Sequence, residues 1–267
     1  MMNPSKNEVK EMRYAVAYLN IVPLRAEASH RSEMVSQLLF GEYMKVFETK
    51  DEWSYIQLEH DSYKGWVQSI QLHLVDEKEY LAFQNSTKVK ALSDFSTILV
   101  DGDKVTILKG TNLPFYANGF FMFRDKKISY SAEVISQKQS RQKLIETAKS
   151  YLNTPYLWGG KTLAGIDCSG FSQMVYHING YTIKRDASLQ AQQGSLVAFL
   201  TQAQEGDLAF FENEEAKITH VGIILADEKI IHAAQGKVRI DKLDQEGIYN
   251  EELKKYTHHL RMVKSYF

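Results

Sequence analysis

Two patterns of apolar residues divide the chain. From Met12 to about Leu74, apolar and polar positions alternate over short, aromatic-rich runs: YAVAYLNIVPLR, GEYMKVFETK, WSYIQLE and GWVQSIQLHLV. Period-two alternation broken by turn or charged segments predicts strands. Several short strands without a long amphipathic helix predict a small all-β barrel or sandwich. A second β-rich stretch runs from about Glu79 to Val134. Its strands include ILVDGDKVTIL, turning at Asp101 and Gly102, and NGFFMFRDKKISY, turning near Asp125.

Near Ser136 the period changes. SRQKLIETAKSYLN sets Leu144, Ile145, Ala148, Tyr151 and Leu152 at helical spacing, with Ser140 as its N-cap. TPYLWGGKTLAG reads as a glycine-rich loop. CSGFSQMVYHING reads as a second helix with Phe171, Met174, Val175 and Ile178 on one face and Gly180 near its end. GDLAFFE, THVGIILAD and KIIHAAQG then read as strands of one antiparallel sheet. Helices followed by a sheet imply an α+β unit, with its boundary near residue 136.

Composition adds mainly exclusions. The 267 residues, 44% hydrophobic and 12% aromatic, suffice for two or three packed units. With 32 basic against 33 acidic residues, nothing draws the chain to nucleic acid or an anionic membrane. No run approaches the roughly eighteen apolar residues of a membrane span. The charged start, MMNPSKNEVKEMRY, lacks the apolar stretch of a secretory signal, so the expected location is the cytoplasm unless a leader has been removed.

The one cysteine, Cys168, excludes an intramolecular disulfide. A lone cysteine is more often a small buried hydrophobe than a nucleophile. Its setting shifts that balance. GIDCSGF places Cys168 at a helix start, where unpaired N–H groups favour a thiolate and can donate to an oxyanion. His220 and His232 fall on adjacent predicted strands, near enough for one imidazole to take the thiol proton while the other fixes its tautomer. A Cys/His/His zinc site ranks low, because no close ligand pair and no fourth ligand are evident. Trp53, Trp66 and the FFMF run read as core or domain-interface residues. HDSYKG around His60 reads as a surface turn, and His258-His259 as a solvated turn or strand end.

In order and spacing, the TPYLWGG loop, IDCSGF, GDLAFF, THVGII and IIHAA resemble the NlpC family of papain-like cell-wall peptidases over about residues 140 to 235. SHRSEMVSQLLFGE followed by YKGWV resembles a bacterial SH3-like domain. Together they resemble the YkfC-type γ-D-glutamyl-L-diamino-acid endopeptidases. The resemblance implies two small all-β SH3-like barrels, at residues 1–76 and 77–135, before an α+β papain-like catalytic domain at 136–267 with helices packed on an antiparallel sheet. It implies Cys168 as nucleophile, His220 as base and His232 as its orienting residue. Tyr156 would line the site and help the oxyanion, and Asp167 and Ser169 would contact substrate. The first SH3-like domain would wall off one end of the groove, so that only peptides with a free N-terminal L-Ala fit. Glu33, Tyr63 and Asp186 are the candidates to hold that amine, with Glu27 an alternative to Glu33; the bland reading is a solvated charge and a barrel aromatic.

The expected reaction is hydrolysis of the bond from γ-D-Glu to L-Lys or meso-diaminopimelate in freed murein peptides, without metal or organic cofactor. The rival expectations are a secreted hydrolase acting on intact wall and a non-catalytic wall-binding scaffold.

Overall fold

The structure is a computed structural model describing residues 12–234 and 236–267. Most of the charged start read above for a leader, residues 1–11, lies outside the described residues.

Seven strands open the chain: β1 (Arg13–Ala17), β2 (Ile21–Arg25), β3 (Met34–Leu39), β4 (Tyr43–Lys50), β5 (Trp53–Leu58), β6 (Lys64–Gln68) and β7 (Leu72–Val75). They pair antiparallel in the order β3-β2-β6-β5-β4-β1-β7. Alternation decides which side chains face inward. Val22, Leu24, Met44, Val46, Ile56, Leu58 and Val67 form one buried cluster, in which each fully buried aliphatic side chain contributes roughly 1.5–3 kcal/mol. Trp53 is buried beside His30, and Trp66 is half-buried against Tyr55.

A helix, α1 (Glu77–Gln84), begins the next stretch, where the sequence reading expected strands throughout. Asp76 caps it by accepting the Glu79 N–H at 2.7 Å, and Tyr80 and Phe83 bury one face three residues apart. At eight residues the helical period is too short to stand out from the surrounding aromatic pattern. The strand pairs β8 (Lys90–Ala91) with β13 (Val134–Ile135), β9 (Phe95–Val100) with β10 (Asp103–Leu108), and β11 (Phe120–Phe123) with β12 (Lys126–Ser129) follow. Both expected turns are present: Asp101 and Gly102, then Arg124 and Asp125, have positive φ, as two-residue hairpin turns require. Phe121 and Phe123 of the FFMF run pack on Phe40 of the first unit.

The third part holds α2 (Arg141–Lys149), the short pair β14 (Lys161–Thr162) and β15 (Gly165–Ile166), α3 (Cys168–Ile178) and α4 (Ala187–Gln190). Then come β16 (Ser195–Val197), β17 (Leu208–Glu212), β18 (Ile218–Leu225), β19 (Lys229–Ala234), β20 (Lys237–Leu243), β21 (Gly247–Asn250) and β22 (Lys255–Ser265). Ser140 caps α2 as read from sequence. The antiparallel order is β16-β22-β17-β18-β19-β20-β21, and β22 also pairs with β21, so the sheet closes on itself. One face packs on the helices through Leu144, Phe171, Val175, Val221, Ile223 and Ile231. Ala209, Phe211, Ile224, Ile230, Leu243 and Ile248 form a second cluster on the other.

The N-terminal sheet is fastened to the third part by buried polar contacts. Lys161 Nζ meets Glu42 Oε1 at 3.2 Å with both side chains at most 3% exposed. The Lys161 N–H donates to Gln37 Oε1, and Arg185 Nε donates to Ser36 Oγ. The segment at His60 is not a surface turn as expected: Asp61 is buried and accepts from Gln173 Nε2 on α3 at 2.8 Å. Its partner lies 112 residues away, a distance no local pattern could bridge.

Candidate active site

Cys168 is the first residue of α3, and its thiol is buried against β18. Asp167 caps that helix. Its Oδ1 accepts the Gly170 N–H at 2.6 Å, and its Oδ2 accepts the Gly159 N–H at 2.8 Å. Arg185, 1% exposed, closes on both carboxylate oxygens at 3.0 and 2.6 Å and reaches Ser169 Oγ at 2.9 Å. The loop before the nucleophile is held equally tightly. Gly159 has φ +75°, and a Cβ there would come within 2.1 Å of the Met34 carbonyl oxygen at the start of β3.

The helix start does not make Cys168 a resting thiolate, contrary to the sequence expectation. Burial, and then the neighbouring Asp167 carboxylate, push the thiol up to about 12. The N–H groups of Val221 and Ser169 and the Arg185 charge pull the other way without prevailing. The N-cap that defines the helix thus brings a negative charge to the thiol beside it. A neutral thiol needs a base at the moment of attack.

His220 and His232 form a hydrogen-bonded pair with the chemistry of a base and its orienting group. His220 Nε2 lies 2.8 Å from His232 Nδ1, and His232 Nε2 lies 3.0 Å from Asp241 Oδ2. The proton pattern follows from the far end. Arg239 holds Asp241 by two bonds, Nε to Oδ2 at 2.8 Å and Nη2 to Oδ1 at 3.0 Å. Burial raises the Asp241 carboxyl, but the hydrogen bonds from His232 and Arg239 outweigh it and hold the group below its ordinary range. A carboxylate only accepts, so His232 carries its proton on Nε2 and accepts at Nδ1. His220 therefore donates from Nε2 and keeps a lone pair on Nδ1. Burial, with His258 and His232 adding to it, holds His220 well below the usual imidazole range, so it is neutral and able to take a proton.

Local geometry aims both rings. Phe211 pairs with His220 and Glu212 with Ile218, so Thr219 is an extra residue that bulges β18 beside the base. Gly222 leaves room for the second ring, since a Cβ there would come within 2.9 Å of His232 Cβ. His258 is no solvated turn residue: it lies half-buried on β22 with its ring stacked on His220 at 4.0 Å, while His259 is exposed as expected. The three imidazoles are close enough to suggest a metal cluster. Yet the near-parallel planes of His220 and His258, 25° apart, keep their in-plane lone pairs from converging on one ion.

A cavity of about 360 Å³ opens over the thiol, within the usual size of a small-molecule site. Cys168, Tyr156, Asp167, Ser169, Asp186, Glu33 and Tyr63 all line it. Thus the substrate-contact candidates of both units meet in one place. Tyr63 donates to Asp186 Oδ1 at 2.9 Å, and Trp158 Nε1 donates to Glu33 Oε1 at 2.6 Å. Burial raises the Asp186 carboxyl, partly offset by Tyr63 and Arg185. Burial, then Cys168 and Asp167, hold the Tyr156 phenol above its ordinary range, so it stays a donor. Glu27 sits in the exposed turn before β3 and does not line the cavity. A larger groove of about 650 Å³, beside Leu200, Asp244 and Tyr256, shares no lining residue with this one.

Residues 153–258 match the NlpC/P60 family, and residues 24–72 match the bacterial dipeptidyl-peptidase Sh3 domain. A γ-D-glutamyl-L-lysine dipeptidyl-peptidase of Bacillus subtilis (strain 168) is 32% identical over 236 residues, covering 82% of this chain and 78% of its own. The chain belongs to the NlpC/P60 family. Dipeptidyl-peptidase 6 of Lysinibacillus sphaericus is 27% identical over 266 residues, 90% of this chain and 95% of its own. The crystal structure of an NlpC/P60 family protein from Bacillus cereus ATCC 10987 matches 95% of this chain and 99% of its own at a TM-score of 0.80 and 18% identity, which shows the shared fold. This NlpC/P60 protein is accordingly a cysteine peptidase with an N-terminal SH3 domain, an all-β region followed by a mixed α/β one. The family's substrates are cell-wall peptides.

Sequence reasoning missed Asp241, Arg239, Arg185, Trp158 and His258 as site residues. Asp241 and Arg239, in VRIDKL, read as the polar face of an ordinary strand. The WGG motif is the local signal that could have found Trp158. Nothing local marked Arg185 or His258.

Proposed function

We propose that this enzyme is a dipeptidyl-peptidase cleaving murein stem peptides after a free N-terminal L-Ala-γ-D-Glu, releasing L-Lys or meso-diaminopimelate as the leaving amine. The supporting observation is the acidic end of the cavity over Cys168, where Glu33 at the rim and Asp186 face one space beside Tyr63 and Trp158. A buried ammonium is costly without carboxylate partners, and two at one end suit a substrate amine. Acylation of that amine removes its charge and adds bulk where the first unit closes the groove. Peptide still joined to glycan through that nitrogen would be rejected. Such selectivity fits recycling of freed peptides within the cell.

In this mechanism His220 Nδ1 takes the Cys168 proton as Sγ attacks the γ-carbonyl of D-Glu. N–H groups at the start of α3 and the Tyr156 hydroxyl stabilise the oxyanion. The His220 imidazolium, steadied through His232 by Asp241, then protonates the leaving amine. Water activated by the same imidazole hydrolyses the thioester and frees L-Ala-D-Glu. Asp167 acts by holding the helix start and Arg185, since both its oxygens are already engaged.

The test is a mass-spectrometric digest of L-Ala-γ-D-Glu-L-Lys-D-Ala with a free and an acetylated N-terminus. Cleavage of the free peptide alone supports the reading. Equal rates on both peptides, or on intact sacculi, remove the gate.

A further inference from the structure

The base is packed on several sides by rings. His232 meets His220 edge-on at 5.1 Å and Phe211 approaches at 5.8 Å, but His258 stacks on its face at 4.0 Å. The backbone is arranged for this contact. Along β22, Ile248 pairs with His258 and Tyr249 with Tyr256, which leaves Thr257 as an extra residue. Phe211 pairs with Leu260 and Phe210 with Met262, which leaves Arg261 as another. His258 thus lies between two bulges, at the point where β22 passes from β21 to β17. Bulges re-aim side chains and recur beside active sites. Thr257 Oγ1, 2.9 Å from His258 Nδ1, fixes the rotation of the ring.

We propose that His258 is a positioning residue for the general base: its stacked ring holds the plane of the His220 imidazole, and its π face supports the imidazolium formed in turnover. This rests on reading Cys168 and His220 as nucleophile and base. A cation over an aromatic face is stabilised provided the face is itself uncharged. Burial lowers His258 to about 4, with His232 and His259 adding to the effect and Asp241 opposing it. The ring is therefore neutral at working pH. The titratable groups around it are His220 on β18, His232 on β19, Asp241 with Arg239 on β20, and His259 on its own strand. Of these, Asp241 and Arg239 form an ion pair with each other, and Arg239 also reaches Glu252 Oε2 at 3.2 Å.

The test compares His258→Phe, which keeps a stackable ring, with His258→Leu, which fills the space without a π face. Three readouts are taken on each full-length variant: kcat and KM on L-Ala-γ-D-Glu-L-Lys, the rate of Cys168 alkylation by iodoacetamide across pH, and thermal melting. The expected result is that His258→Phe stays close to wild type. His258→Leu should lose ~10-fold or more in kcat at unchanged KM, as misplaced catalytic groups do, with alkylation slowed in parallel at neutral pH. Equal kcat and alkylation in wild type and His258→Leu overturn the proposal. So does a loss in His258→Phe as large as in His258→Leu. If the wild type leaves the tripeptide intact, the substrate reading fails, while the alkylation series still decides the role of His258.

Discussion

His232 Nε2 lies 3.0 Å from Asp241 Oδ2, and this contact sets the proton pattern of the His232–His220 pair. Without a carboxylate there, His232 could carry its proton on either nitrogen, and His220 would lose its fixed lone pair. Asp241→Ala should therefore lower kcat by ~10–100-fold, the usual range for a supporting residue behind a ligand or base, with KM little changed. Steady-state kinetics on the tripeptide check this. A KM effect at constant kcat would place Asp241 in substrate binding instead.

The acid limb of the kcat/KM profile reports the free base. A depressed pKa means that neutral His220 persists as the pH falls through 6.5 and is lost only well below it. Activity should therefore survive at pH values where an exposed histidine would already be protonated. An acid limb centred at or above 6.5 would show that His220 is less buried in solution or is not the base.

At the far end of the cavity, Glu33→Gln and Tyr63→Phe should raise KM for the free-amine peptide more than they lower kcat. Each weakens the hold on the ammonium without touching the thiol. The effect should vanish with the N-acetylated peptide. Equal effects on both peptides would assign these residues to packing.

The ion pair of Lys161 and Glu42 joins the first unit to the loop before the nucleophile, and both groups are out of water. Lys161→Met leaves an uncompensated buried carboxylate, a change that costs about 3–5 kcal/mol. A Lys161→Met/Glu42→Leu double variant should recover most of that loss, because an apolar pair removes the stranded charge. Urea unfolding of the three proteins provides the measurement. If the double variant is as unstable as the single, the pair's hydrogen bonds matter more than its charge balance.

Much of this site was legible in the sequence for physical reasons. The segments GDLAFFE, THVGIILAD and KIIHAAQG marked β17, β18 and β19, the turn residues marked the hairpins, and two histidines on neighbouring strands marked the hydrogen-bonded pair of His220 and His232. What escaped notice depended on partners far along the chain. Arg185 reads as a surface cation until Asp167 and Ser36 surround it. His258 reads as a strand end until β22 bends it onto His220. The expected thiolate failed because a helix start is a local feature, whereas burial is set by the whole fold.

The central claim is that Cys168 forms a covalent acyl intermediate with the γ-carbonyl of D-Glu. Rapid acid quenching of wild type with L-Ala-γ-D-Glu-L-Lys, followed by intact-mass and peptide mapping, tests it directly. The account predicts an L-Ala-D-Glu acyl group on Cys168 and none on Cys168→Ala, which should also release no product. Cleavage that continues in Cys168→Ala would contradict it.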